Sequence, residues 1–233
     1  MGRLSETSPE AQAVLTEAYR RLSPARKLKI LEDEFRLARR LFLEGERRRN
    51  PASSPPALAN AWRTSLLGRS FPGGVPMESP QGPELEPVAV LRTVTAALDS
   101  LGIAYAVGGS WASGLYGEPR MTRDADVSVE PFRGRERALA ACFGPDFYVS
   151  VPAMEQANLD RSKFNIIDPP AAYKVDVFVV PDDGFSRSLM ARRTQAVSGE
   201  PAETGMTWVS AEDIVLLVGN GLKAHHYFGR SRD

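Results

Sequence analysis

The chain of 233 residues carries 29 Lys+Arg against 29 Asp+Glu, with 42% apolar and 25% charged residues, the balance of an ordinary globular protein. Wholesale disorder and a collagen-like fibre are excluded by that composition, and a disulfide scaffold by a single cysteine, Cys142. The most apolar stretches, such as Val175 to Val180 and Ile214 to Val218, fall far short of the roughly 18 residues a membrane span needs.

The start, Met1-Gly2-Arg3-Leu4-Ser5-Glu6, lacks the apolar stretch of a signal peptide, so a soluble cytoplasmic protein with no membrane partner is expected. Charge is unevenly spread: residues 1–70 hold 14 basic and 8 acidic side chains, residues 71–233 hold 15 and 21. Such a division suits two units with different tasks, or two faces that attract each other. An Arg-rich helical surface kept for solubility is the simpler account.

The N-terminal part, residues 1–68, reads as a small all-helical unit. Thr7-Ser8-Pro9-Glu10 offers an N-cap hydroxyl and a first-turn Pro, and Ala11, Val14, Leu15, Ala18, Tyr19 and Leu22 follow at helical spacing. Ser23-Pro24 repeats the start signal before a stripe of Leu28, Leu31, Phe35, Ala38, Leu41 and Phe42. That helix closes near Gly45 and Arg47-Arg48-Arg49, where cations suit the negative end of a helix dipole. A third start at Ser54-Pro55 leads through Leu58, Trp62 and Leu66 to Gly68, a C-cap residue. Three such helices bury only a small core and are expected to lean on the rest of the chain.

Residues 69–84 hold four Pro and three Gly, a density that neither helix nor strand survives, so this is a linker. From 85 to 233 the pattern is mixed α/β, the fold class expected of the main part. Val88, Leu91, Val94, Leu98 and Leu101 make a helical stripe; Ala104 to Val107 is a short strand; Gly108-Gly109-Ser110 precedes a small-residue helix from Trp111 to Tyr116. Further strands are expected at about 123–130, 163–167 and 173–180, with a helix over roughly 133–143 and a last one opened by Ser210-Ala211-Glu212-Asp213.

Strand alternation sorts Arg123 to Glu130 into two faces. Ala125, Val127 and Val129 point one way, and Asp124, Asp126, Ser128 and Glu130 the other. In the later strand Val175, Val177 and Val179 share one side while Asp176 stands opposite. If these strands are neighbours in that register, three carboxylates share a patch. Ionised side by side, such groups repel unless a cation joins them. Mg²⁺ suits an all-oxygen set, and a pair of ions stabilises both oxygens of an in-line phosphoryl displacement. Upstream, Gly108, Gly109 and Ser110 let backbone approach a ligand and place a helix N-terminus toward a phosphate, with Arg120 available for a charge-assisted contact.

Gly108-Gly109-Ser110, then Pro119-Arg120-Met121-Thr122-Arg123-Asp124-Ala125-Asp126, then Tyr173-Lys174-Val175-Asp176-Val177-Phe178, resembles the signature of the polymerase-β-like nucleotidyltransferases, nearest the minimal, AbiEii-toxin-like bacterial branch. The resemblance covers about residues 86–217. It implies a mixed sheet flanked by helices that moves a nucleoside monophosphate from a nucleoside triphosphate to an acceptor such as tRNA, a protein or a small molecule. It also implies two Mg²⁺ held by Asp124, Asp126 and Asp176, the last helping to activate the acceptor, with Gly109 and Ser110 on the triphosphate. Thr207 to Ile214 resembles the family's Ser-Pro-Glu-Asp helix start. Val218 stands near where a Lys commonly follows, and the chain stops sooner than the family's helical continuation. The alternative expectation is therefore a catalytically impaired regulatory or toxin–antitoxin partner.

Other residues admit two readings. Lys163 and Lys174 neutralise phosphate or are ordinary surface strand lysines. Trp111 stacks on a base or fills the core. Arg47-Arg48-Arg49 touches RNA phosphates or forms a short solvated run. His225-His226 is expected in an exposed tail, Cys142 as a small buried hydrophobe, and Asp182-Asp183-Gly184 as a turn.

Overall fold

The computed structural model describes residues 7–67, 85–116, 121–195 and 205–219. The linker at 69–84, Arg120, the side chain of Val218 and the pair His225-His226 lie outside the described residues. The architecture is a mixed α/β fold preceded by a helical N-terminal region. No helix among the described residues is long and apolar enough to cross a membrane.

Three helices lead: α1 (Pro9–Arg21), α2 (Pro24–Arg49) and α3 (Pro55–Leu67). The three serine-proline starts work as read, the third with Ser54 Oγ accepting from the Ala57 N–H at 3.4 Å. Ser8 Oγ accepts from the Ala11 N–H at 3.2 Å, and Ser23 Oγ from the Arg26 N–H at 3.2 Å, each satisfying an otherwise orphaned first-turn donor. On α2 the buried face departs from the predicted stripe. Its second half holds, with Ala38, Leu41 and Phe42 buried, but in the first half Leu28, Leu31 and Phe35 are exposed, whereas Ile30, Asp33, Glu34 and Leu37 are buried. The reason is tertiary: α2 meets a second layer along Leu37, Leu41 and Gly45, and meets α3 where Phe42 and Phe35 approach the Trp62 ring at 5.5 and 5.6 Å.

The main part runs α4 (Glu86–Ser100), β1 (Tyr105–Val107), α5 (Gly109–Tyr116), β2 (Asp124–Val129), α6 (Glu136–Ala141), β3 (Tyr148–Val149), α7 (Val151–Asp160), β4 (Lys163–Asp168) and β5 (Tyr173–Val179). It closes with α8 (Gly184–Arg192), β6 (Thr194–Gln195), β7 (Thr207–Trp208) and α9 (Ala211–Gly219). The sheet order is β3-β4-β5-β2-β1-β7-β6, with β2 and β5 parallel at its centre. Ala125, Val127, Val129, Val175, Val177 and Val179 are buried in one core with Val88, Leu91, Val94 and Leu98 of α4. That burial fixes the register, because a one-residue slip would turn the whole valine set to the opposite face.

Two small readings change. Cys142 is exposed just beyond α6 rather than buried, since that helix ends at Ala141 and turns its last residues outward. Asp183 is the N-cap of α8, its carboxylate accepting from the Ser186 N–H at 2.7 Å. The predicted turn is thus a helix start.

The N-terminal helices pack on the main part at close range. α5 is built from small residues, and Gly114 faces Leu41 of α2. A Cβ on Gly45 would stand 2.0 Å from the Leu115 carbonyl oxygen. At the end of that contact Arg49 Nη1 donates to the Tyr116 carbonyl at 3.0 Å, satisfying an acceptor that α5 leaves open at its C-terminus. Two ion pairs cross between the parts: Arg26–Glu86 at 2.6 Å follows the charge division, and Arg123–Glu34 at 2.8 Å runs against it.

Candidate functional site

β2 and β5 pair in parallel with Asp126 opposite Asp176 and Asp124 opposite Lys174. Partners in register share a face of the sheet, so Asp124, Asp126, Lys174 and Asp176 stand together on the side away from the valine core. β4 runs antiparallel on the other flank of β5, with Asn165 opposite Asp176. Asn165 and Lys163 therefore join the same polar strip.

Within it, Lys174 Nζ lies 2.6 Å from both Asp176 carboxylate oxygens and 3.8 Å from Asp124 Oδ2. Asn165 Nδ2 donates to Asp176 Oδ1, and Lys163 Nζ lies 3.4 Å from Asp176 Oδ2. Asp176 is thus buried and held from three sides, while the Asp124 side chain is 43% exposed. Thr122 Oγ1 donates to Asp124 Oδ1 at 2.9 Å and so orients it. Asp126 sits between them with partial solvent access. Burial lifts its carboxyl well above the usual carboxylate range, and the charges of Asp124 and Asp176 add to this, against the pull of Lys174 and Lys163. Among the described residues, no three His, Cys, Asp or Glu side chains form a set that could hold a metal ion as they stand; the Lys174 ammonium occupies the middle of the acidic strip.

Gly108 and Gly109 join β1 to α5 beside this strip. The Gly108 N–H donates to the Asp126 carbonyl at 2.8 Å, tying the turn to β2. Gly109 has φ +57°, in the left-handed region that favours glycine. A Cβ there would lie 1.8 Å from Asp126 Oδ2, so only glycine lets the turn close against the carboxylate. Ser110, in the first turn of α5, is buried. The structure therefore brings Gly108 and Gly109 to Asp126, with Ser110 buried in the first turn behind them, and Lys174 to Asp124 and Asp176 in the same strip.

Trp111 belongs to the core. It is fully buried, its Nε1–H donates to the Tyr173 hydroxyl at 2.9 Å, and its ring lies 6.5 Å from that of Trp208. Burial, with the nearby charges of Asp124 and Asp126, raises the Tyr173 hydroxyl well above its ordinary value. The arginine run of α2 pairs internally, Arg47 and Arg48 with Glu44 and Arg49 with Glu46.

Sequence reasoning missed four contributors. Asn165 was legible, since Lys163 and Asn165 alternate with buried Phe164 and Ile166. Thr122 lies just before the acidic strand, where nothing in its spacing marks it as a partner of Asp124. Glu34 and Thr7 had no local signal. Glu34 lies on the buried face of α2 and accepts from Arg123 Nε at 2.8 Å, and burial raises its carboxyl despite that partner. Thr7 Oγ1 lies 3.3 Å from Lys174 Nζ. On the far side of β1, Asp213 is fully buried; it accepts from Ser210 Oγ at 2.9 Å and pairs with Arg192, which anchors the start of α9.

Comparison with protein families, characterised proteins and solved structures finds no match to this chain.

Proposed function

We propose that the chain is a Mg²⁺-dependent nucleotidyltransferase that moves a nucleoside monophosphate from a nucleoside triphosphate to an acceptor. The observation that carries this reading is the parallel register that sets Asp126 beside Asp176, with Asp124 on the same face and Gly109 closed against the Asp126 carboxylate. The donor set fits Mg²⁺: it is all oxygen, and the repulsion from Asp124 and Asp176 that adds to the effect of burial on Asp126 is what a divalent cation relieves. Asp124 and Asp126 would hold the metal, with Asp176 as a third ligand. Bound there, Mg²⁺ supplies charge neutralisation on the phosphates and on the leaving oxygen.

The chain's own residues do the rest. The Gly108–Gly109 turn and the N-terminus of α5 offer backbone N–H groups to the phosphates. Lys174 is paired in the strip and has a flexible stem. It balances the carboxylates before nucleotide arrives and follows the phosphate charge afterwards. Asn165 and Lys163 hold Asp176 in place throughout. Arg120, adjoining the strip in sequence, is proposed as a further phosphate contact. Catalysis of this kind is mainly positioning and electrostatics.

Assay of the four labelled triphosphates with Mg²⁺ against RNA, protein and metabolite fractions tests the proposal. Transfer is expected with at least one pair, and it is lost when Asp124 and Asp126 are both changed to Ala. Loss of several kcal/mol of charge stabilisation corresponds to about 10²–10³-fold in rate. Wild-type transfer by that double variant would refute the reading. A regulatory or toxin–antitoxin role without turnover is the second reading. It is favoured by the Lys174–Asp176 pair, which fills the strip with an internal cation; metal-dependent nucleotide binding without product in any fraction would select it.

A further inference from the structure

We infer that Thr7 is itself an acceptor: the chain nucleotidylates its own N-terminal segment at the Thr7 hydroxyl. The inference rests on the nucleotidyltransferase reading of the site and names a substrate for it. Thr7 stands immediately before the Ser8 cap of α1, and its Oγ1 lies 3.3 Å from the Lys174 ammonium, which in turn lies 2.6 Å from both oxygens of Asp176. One buried cation thus has the hydroxyl on one side and the innermost carboxylate of the strip on the other. This placement is held by packing. α1 lies against β4, Ala11 and Ala18 are buried, and Ala18 clusters with Ile30 of α2 and Ala172 of the β4–β5 turn. Tyr19 further along the same helix lies under the Arg123 guanidinium, 5.0 Å from its ring centre, and Arg123 is the residue just before Asp124. The helix is therefore fixed to the site at both ends, and the hydroxyl at its start is presented at high effective concentration.

In the step, Thr7 Oγ attacks the α-phosphorus of a nucleoside triphosphate. An Oγ–P bond forms, the bond from the α-phosphorus to the bridging oxygen of the β-phosphoryl breaks, and pyrophosphate leaves with the electron pair. The hydroxyl proton is released to water as the new bond forms, the Asp176 carboxylate lying behind the Lys174 ammonium. No oxidant or reductant is involved.

The test uses the full chain with Mg²⁺ and each of the four triphosphates, read by intact mass and by fragmentation. The expected result is a gain of one nucleoside monophosphate on Thr7, at a rate per molecule that does not change when the protein is diluted. Thr7→Ala removes the label and Thr7→Ser keeps it, with melting temperature recorded for both so that loss of fold is not mistaken for loss of acceptor. Labelling of Lys174 or of any other residue in place of Thr7 overturns the inference, as does undiminished labelling of Thr7→Ala. If the wild-type chain labels an added acceptor yet leaves Thr7 unmodified, the inference fails and the nucleotidyltransferase reading stands; if it binds a triphosphate with Mg²⁺ and transfers to nothing, the inference fails and the regulatory reading is selected. If it neither binds nor transfers, both fail.

Discussion

Lys174 and Asp176, two residues apart on β5, point to the same face and meet with the ammonium 2.6 Å from each carboxylate oxygen. The pair is buried, with side chains 10% and 7% exposed. With Lys163 3.4 Å from Asp176, Lys174 is therefore the nearer of two internal cations that offset the three neighbouring carboxylates.

Lys174→Met tests this directly. Removing one member of a buried pair costs about 3–5 kcal/mol, and the water-accessible Asp124 side of the strip places this variant at the lower end. A loss of about 3 kcal/mol lowers the melting temperature by roughly 6–12 °C for a chain of this size. Mg²⁺ is expected to restore more stability to the variant than to the wild type. Equal melting curves for both proteins in chelator would contradict the assignment.

Asp126→Asn is expected to stabilise the metal-free protein. Its folded carboxyl holds a proton more tightly than the unfolded chain does. The wild-type site is thus at full stability below the unfolded value of about 3.9, loses stability as pH rises through the folded value, and stays penalised above it. The variant should melt higher than wild type near pH 8, and the gap should close toward about pH 3.5. Each unit of upward shift is worth about 1.4 kcal/mol. A variant that melts lower than wild type at neutral pH in chelator would show that the repulsion is not there.

Gly109→Ala meets two obstacles at once: a left-handed φ of +57° and the Asp126 carboxylate 1.8 Å from the new methyl. The backbone conformation alone costs about 1–2 kcal/mol. The carboxylate must also turn away, so nucleotide binding with Mg²⁺ should fall by more than the loss of stability explains. Calorimetric titration below the melting range measures it; unchanged affinity would dissociate the turn from the site.

Gly45→Val should detach α2 from α5, because the added carbons would meet the Leu115 carbonyl oxygen. Overpacking of this kind costs about 1–3 kcal/mol. Hydrogen exchange of α5 amides is expected to rise together with that of α2. Unaltered protection in α5 would show that the two helices are held independently.

Much of this arrangement was legible because strands announce their faces. Alternation in Asp124 to Val129 and Tyr173 to Val179 separated acids from valines before any pairing was known, and burial of the valines fixed the register that brings Asp126 to Asp176. The Gly108–Gly109 turn was equally local. The partners that cross from the N-terminal helices were not legible: Glu34 sits in a helical stripe whose inner face is chosen by α5, and Thr7 reaches Lys174 across 167 positions. The same cause displaced the first half of the predicted face of α2, where Leu28 and Leu31 are left exposed. Periodicity says that a helix has an inner side, and its neighbours decide which. α7 was missed although Ser150 and Pro152 repeat the start signal seen at Ser8 and Ser23, with Ser150 Oγ accepting from the Ala153 N–H at 3.3 Å.

The contact of Gly45 with the Leu115 carbonyl has a consequence for sequence drift. Where two backbones touch with no room for one methyl group, no substitution is silent, and any descendant of this chain that replaces Gly45 must re-dock a 26-residue helix. Related chains that diverge freely along the outer side of α2 should therefore retain this single position.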